Sequence, residues 1–154
     1  MRVRCLHIFA ASAFTLTVAA FAQEKNIDRS KVPAAVEKTI QAQSQGATVK
    51  GISTERENGK LQYEVEMTIN GHSKDLAVAT DGTLLEIEEE VAFDSLPSQV
   101  KAALTAKAAG AKITKVESLT KKDKLVAYEA ATLKGDKKGE IQVGPNGEKL
   151  KHEE

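Results

Sequence analysis

The run Glu86-Ile87-Glu88-Glu89-Glu90 is the stretch of this sequence best supplied with ligand atoms. In a strand, successive side chains alternate between faces, so Glu86, Glu88 and Glu90 would share one side. Their carboxylate oxygens could then coordinate a hard cation such as calcium. No loop of alternating oxygen donors with a tight-turn glycine accompanies them, and a solvated strand face is the better reading. His72 and His152 fall where a turn and a tail are expected, with no cysteine, histidine or acidic partner at ligand spacing. A serine nucleophile would need a G-x-S-x-G elbow, which is missing. The glycines stand in turn dipeptides and not in a phosphate-cradling loop. The sequence therefore assigns no catalytic residue, no metal ligand and no cofactor, and an enzyme is not expected.

What remains is surface. Lys60 to Met67 alternates strictly, with Leu61, Tyr63, Val65 and Met67 on one side and Gln62, Glu64 and Glu66 on the other. That period of two marks a half-buried strand. Tyr63 and Tyr128 are in phase with the apolar side, so their rings are expected to pack in the core with the hydroxyls reaching its rim. The polar side carries the candidate partner contacts: Gln62, Glu64, Glu66 and Thr68, with Glu129 from a later strand.

The elements that position these residues can be read in order. The spacing predicts a helix over 30–45, capped by Ser30, with Pro33 in its first turn and Gly46 as its stop. Val32, Val36 and Ile40 form its buried stripe. A strand follows over 47–57, where Val49 and Ile52 are three apart and a bulge near Gly51 would turn both inward. Asn58-Gly59 is a strong hairpin signal leading into the alternating strand, which ends near Ile69. Asn70-Gly71 and Asp81-Gly82 punctuate two further strands, the last running from Leu84 to Val91 with Leu85, Ile87 and Val91 in phase. Close turns of this kind specify antiparallel neighbours.

The N-terminus is not expected to belong to the fold. Arg2 and Arg4, the apolar run from Leu6 to Val18 and Ala20-Phe21-Ala22 make residues 1–22 a secretory signal peptide, cut before Gln23. Its apolar run is shorter than the ~20 residues that span a bilayer. Cys5 leaves with it, so the exported chain must hold together without disulfides. The whole chain has 22 basic and 22 acidic side chains. Losing Arg2 and Arg4 makes the exported part slightly acidic, unlike a nucleic-acid binder. Residues 23–29 are expected to form a flexible lead-in.

From Phe93 the pattern restarts. Leu96-Pro97 answers Val32-Pro33, Val100 and Leu104 answer Val36 and Ile40, and Gly110-Ala111 answers Gly46-Ala47. Beyond Tyr63 and Tyr128 the offset lengthens by one residue, and Asn146-Gly147 then meets Asp81-Gly82. Only Leu150 is aliphatic between Lys149 and Glu154, so a last strand there would be short or frayed. The expected fold is α+β: a tandem repeat of one helix followed by a four-stranded antiparallel meander, over 30–92 and 93–154. Both helices would pack on one face of a shared sheet, because a unit of ~60 residues is marginal alone.

These pieces, Val32-Pro33-Ala34-Ala35-Val36, Tyr63-Glu64-Val65, Asp81-Gly82 and their second copies, resemble the PepSY domain. More closely, the whole exported chain resembles PepSY-like proteins related in fold to β-lactamase-inhibitory protein (BLIP-like). The resemblance implies a location outside the cytoplasm, periplasmic or secreted. It also implies non-catalytic binding of a protein or peptide, in some members inhibition of peptidases or other enzymes. A monomer free of membrane and nucleic acid is expected. The alternative is an envelope-associated structural protein that binds polysaccharide or a divalent cation through Glu86, Glu88 and Glu90.

Overall fold

The structure is a computed structural model and describes residues 25–57 and 59–152. The expected signal peptide and its cleavage position lie outside the described residues, as does Asn58 of the expected hairpin turn. A two-residue strand, β1 (Lys25–Asn26), comes first, in the stretch expected to be a loose lead-in. It pairs with Thr54 and Ser53. Then follow α1 (Ala34–Gln43), β2 (Ala47–Glu57), β3 (Lys60–Ile69), β4 (His72–Ala79) and β5 (Leu84–Glu90). The second half contributes α2 (Ser98–Ala108), β6 (Lys112–Lys121), β7 (Lys124–Lys134) and β8 (Lys137–Val143).

All the strands form one eight-stranded sheet in sequence order, each antiparallel to the next. This overturns the expected tandem repeat of a helix and a four-stranded meander. The second half supplies three strands among the described residues, and β1 extends the opposite edge. The physical reason lies in the tail. After β5 turns back along β4, its Leu84 and Ile87 pack against the first core. The corresponding tail offers Leu150 alone, so nothing repays the entropy of ordering a further strand.

Helix α1 also starts later than predicted. Arg29–Lys31 form a 3-10 turn capped by Asp28, which accepts from the Ser30 amide at 2.8 Å. Ser30 therefore caps nothing. Val32, just before Pro33, is extended, as steric conflict with a following proline requires. Gly46, with φ +77, stops the helix region. In β2 the register shifts between Val49 and Gly51, so the bulge brings Ile52 into the core and leaves Val49 partly buried against it. A second shift, between Ala77 and Val78 in β4, puts Leu84 opposite Val78. Leu84, and not the expected Leu85, then packs inward, and Leu85 is exposed.

Side-chain alternation carries the core on one face. Val36 and Ile40 of α1 bury against Ile52, Tyr63, Val65, Met67, Leu76 and Val78. Val100 and Leu104 of α2 bury with Leu96 against Val116, Ala130 and Val143. Pairing connects these positions through Val65↔Leu76↔Ile87↔Thr120, with Ser118↔Tyr128↔Val143 two residues along, so both helices lie on the same side of the sheet. Each helix also meets a turn. A Cβ on Gly82 would sit 2.6 Å from the Ala35 carbonyl oxygen, and one on Gly147 would sit 2.5 Å from that of Gln99. Thr39 Oγ1 donates to the Gly82 carbonyl at 2.6 Å and locks the first of these contacts.

Gly82 combines φ +87 with that close approach, whereas Gly46 has a left-handed φ and open space around it. Gly82→Ala is therefore expected to cost about 3 kcal/mol in urea unfolding, from strain plus a forced shift of α1. Gly46→Ala should cost only about 1 kcal/mol. Equal losses at the two positions would show that the helix-to-turn contact contributes nothing.

Candidate functional site

With both helices on one face, the other face of the sheet is left to polar side chains. Register sets which of them become neighbours. One row runs Gly51↔Glu66↔Asp75↔Glu88↔Leu119↔Ala127 across β2 to β7. The row beside it runs Ser53↔Glu64↔Ala77↔Glu86↔Lys121. Glu66, Asp75 and Glu88 are thus three acidic residues in direct cross-strand succession, an arrangement that repels. The small Ala77 leaves room between them, while the Glu66 carboxylate lies over Gly51. The result is a groove of about 270 Å³ lined by Glu64, Glu66, Asp75, Glu86 and Glu88 among others.

The predicted contacts divide between two parts of this face. Gln62, Glu64 and Glu66 line the groove. Gln62 is buried and donates from Nε2 to Glu55 at 2.7 Å, so it orders the groove wall more than it presents a free amide. Thr68 lies on the same face, opposite Ser73, outside the groove. Glu129 stands further across, opposite Glu117, and accepts from Gln142 Nε2 at 2.7 Å. Glu86, Glu88 and Glu90 share one face, with Glu90 accepting from the Ser73 amide at 3.1 Å. Tyr63 and Tyr128 belong to the two cores.

Sequence reasoning missed Asp75 and Glu117. Asp75, Glu88 and Glu117 bring one carboxylate oxygen each to within 4.8 Å of one another. They come from β4, β5 and β6, so only tertiary pairing unites them. A signal existed: Asp75 alternates with Leu76 and Val78 as the outward residue of its strand, and Glu117 is polar between the buried Val116 and Leu119. Glu117 is itself buried, held by Lys115 Nζ at 2.8 Å and by Ser73 Oγ at 3.3 Å. Lys121 pairs with Glu86 at 3.2 Å.

The charges are not fully compensated. Burial, then the neighbouring Glu86 carboxylate and its hydrogen bond, push Glu88 up to about 8. Burial and the Glu117 carboxylate hold Asp75 above its usual range. Burial likewise raises Glu129, against the hydrogen bond from Gln142. Burial disfavours the Lys115 ammonium, but the hydrogen bond to Glu117 together with the charges of Glu117, Asp75 and Glu88 raises it overall. The arrangement is a carboxylate-rich surface on which Glu88 holds its proton near neutrality.

A carboxyl held protonated in the fold but released near 4.5 on unfolding links stability to pH. Between those values the unfolded state binds fewer protons, so stability from this group is complete below about pH 4.5 and is lost as pH rises toward 8. Glu88→Gln should therefore raise the melting temperature at pH 8 by about 2–4 °C, with the gain shrinking at pH 5. Circular dichroism melts at both values check this, and a variant that melts below the parent at pH 8 would refute the assignment.

No protein-family model matches the sequence, and no curated protein matches it either. Solved structures do. A Bacteroides eggerthii protein described as periplasmic superposes with a TM-score of 0.62 at 17% identity, over 76% of this chain and 84% of its own. A DUF2874 family protein of Bacteroides uniformis gives 0.60 at 17%, over 75% and 84%. A BLIP-like protein of Bacteroides fragilis gives 0.56 at 18%, over 75% and 80%. At such identities the likeness concerns backbone, and the chain has the fold shared by BLIP-like and DUF2874 proteins.

Proposed function

We propose that this chain is an exported, non-catalytic binding module that docks a protein or peptide outside the cytoplasm through its open sheet face. In this reading it regulates or inhibits a periplasmic or extracellular enzyme, such as a peptidase. The observation that carries the reading is the open face itself: a sheet covered by helices on one side only, with a groove whose walls are carboxylates in mutual repulsion. A folded domain gains nothing from such a row, whereas a complementary surface would relieve it. The periplasmic description of the Bacteroides eggerthii neighbour supports the location. So does the N-terminal sequence, with its basic start, apolar run and small residues. The BLIP-like neighbour supports docking over chemistry. It does not carry β-lactamase as the target, since function lives in side chains grafted on a fold.

A second reading has one observation in its favour. The convergence of Asp75, Glu88 and Glu117 is the geometry a divalent cation uses, and it would suit an envelope protein bridging acidic polysaccharide.

Retention of an extracytoplasmic protein of the source organism on the immobilised chain separates the two. Docking predicts a protein retained by the parent and by Ala42→Lys on the helix side, and lost with Glu64→Lys/Glu66→Lys. Retention indifferent to those face substitutions would exclude this surface. Binding that requires millimolar calcium and disappears in Asp75→Asn/Glu117→Gln would favour the cation.

A further inference from the structure

The outer edge of β8 is where the two halves of the sheet part company. In the first half the turn after β4 is closed by the Ala79 amide on the Thr83 carbonyl at 2.8 Å, and β5 then pairs along β4. The second half builds the same turn. There the Gly144 amide meets the Glu148 carbonyl at 2.8 Å, and Gly147 repeats the close approach of Gly82 to its helix. No strand follows that turn among the described residues, and β8 is the last strand of the sheet. A side chain stands in for one donor of the missing neighbour. Lys107 of α2 brings its ammonium to the Gln142 carbonyl at 2.9 Å, whereas the corresponding residue of β4, Ala77, faces Glu86 of β5.

Backbone alternation fixes what the rest of this edge offers. β8 pairs with β7 without a register shift, so backbone groups at every second residue point the same way. Gly144 and Gln142 point outward, as their bonds to Glu148 and Lys107 show, and so therefore do Glu140 and Lys138. Lys137, Lys138, Gly139 and Glu140 are all exposed. A bare edge of this kind is a template for another strand.

We propose that the strand it receives is β8 of a second copy of this chain, antiparallel about a two-fold axis at Gly139, in place of the monomer expected from the sequence. Charge selects both the partner and the register. Centred on Gly139, Lys138 of each copy stands opposite Glu140 of the other, so both outward-pointing pairs join opposite charges. Centred on Lys138 or on Glu140, a charge would face itself. Centred on Ile141, Glu140 would meet Gln142, whose carbonyl Lys107 already holds. At the axis Gly139 faces its counterpart, and the lack of a side chain lets the backbones close up. On the helix side the Lys137 stem covers the partly buried Ile141 of the other copy. The edge thus carries its own complement, and both open faces stay free for the docking proposed above.

Sedimentation velocity of the protein over a concentration series reaching about 0.5 mM tests this, because a short edge interface gives a dimer governed by mass action. The parent is expected to pass from monomer to dimer across the series. Lys138→Glu and Glu140→Lys each set like charges opposite one another and should weaken association about tenfold. Mixed in equal amounts, the two variants complement each other and are expected to associate within about threefold of the parent. Glu140→Pro removes an outward amide and spares the ladder to β7, and it should leave a monomer. Circular dichroism melts check that each variant is folded. A parent that stays monomeric throughout would overturn the proposal. So would a dimer that persists in Glu140→Pro, or a mixture that associates no better than either variant alone. A dimer abolished by Glu64→Lys/Glu66→Lys and indifferent to Lys138→Glu would move self-association to the open face and overturn it as well.

Discussion

An antiparallel sheet covered on one side only imposes a sorting rule on every residue it contains, and this molecule follows from that rule. Alternate side chains must go to the helix side, where Val36, Ile40, Val100 and Leu104 wait for them, or to the open side, where nothing does. The two bulges in the first half serve the rule. The first turns Ile52 inward where strict alternation from Val49 would have turned it out, and the second exchanges Leu85 for Leu84 on the buried side. Two short helices suffice because their stripes meet a sheet that already presents a continuous apolar face. The close approaches of Gly82 to α1 and Gly147 to α2 hold the helices at a fixed height above it.

The same rule concentrates charge. Polar residues sorted to the open face of the eight-stranded sheet become cross-strand neighbours whether or not their charges agree. Glu66, Asp75 and Glu88 disagree, and Glu88 responds by holding its proton to about pH 8. Protonation is the cheapest relief available to a partly desolvated carboxylate. A sheet designed for stability alone would alternate signs along the row, as it does where Glu86 meets Lys121. Departure from that pattern at the middle of the face is a local cost in stability.

The face is not uniformly wet, which matters for what it can bind. Leu119 and Ala127 belong to it and are buried, as are Gln62, Glu117 and Gln142. Long side chains lie over the sheet and hydrogen-bond one another, as in Gln62 with Glu55 and Gln142 with Glu129. Such pairs fix these side chains against the sheet.

The residues alone determined a great deal of the local structure. The alternation of Lys60 to Met67, the glycine turns and the bulge near Gly51 follow from backbone preferences that act over a few residues. The 3-10 turn before Pro33 escaped because Asp28 takes both the amide and the hydroxyl of Ser30, a local contact that spacing does not reveal. The tandem-repeat expectation failed for a different reason. Similar spacing in the two halves says nothing about whether a final strand has enough apolar surface to stay, and the tail past Gly147 does not. Tertiary structure alone decided which carboxylates converge. Asp75, Glu88 and Glu117 are far apart along the chain and were brought together by register, which depends on bulges, turns and the burial of the opposite face all at once. Single residues carry their propensities with them, whereas a site assembled across three strands exists only once the whole sheet has chosen its alignment.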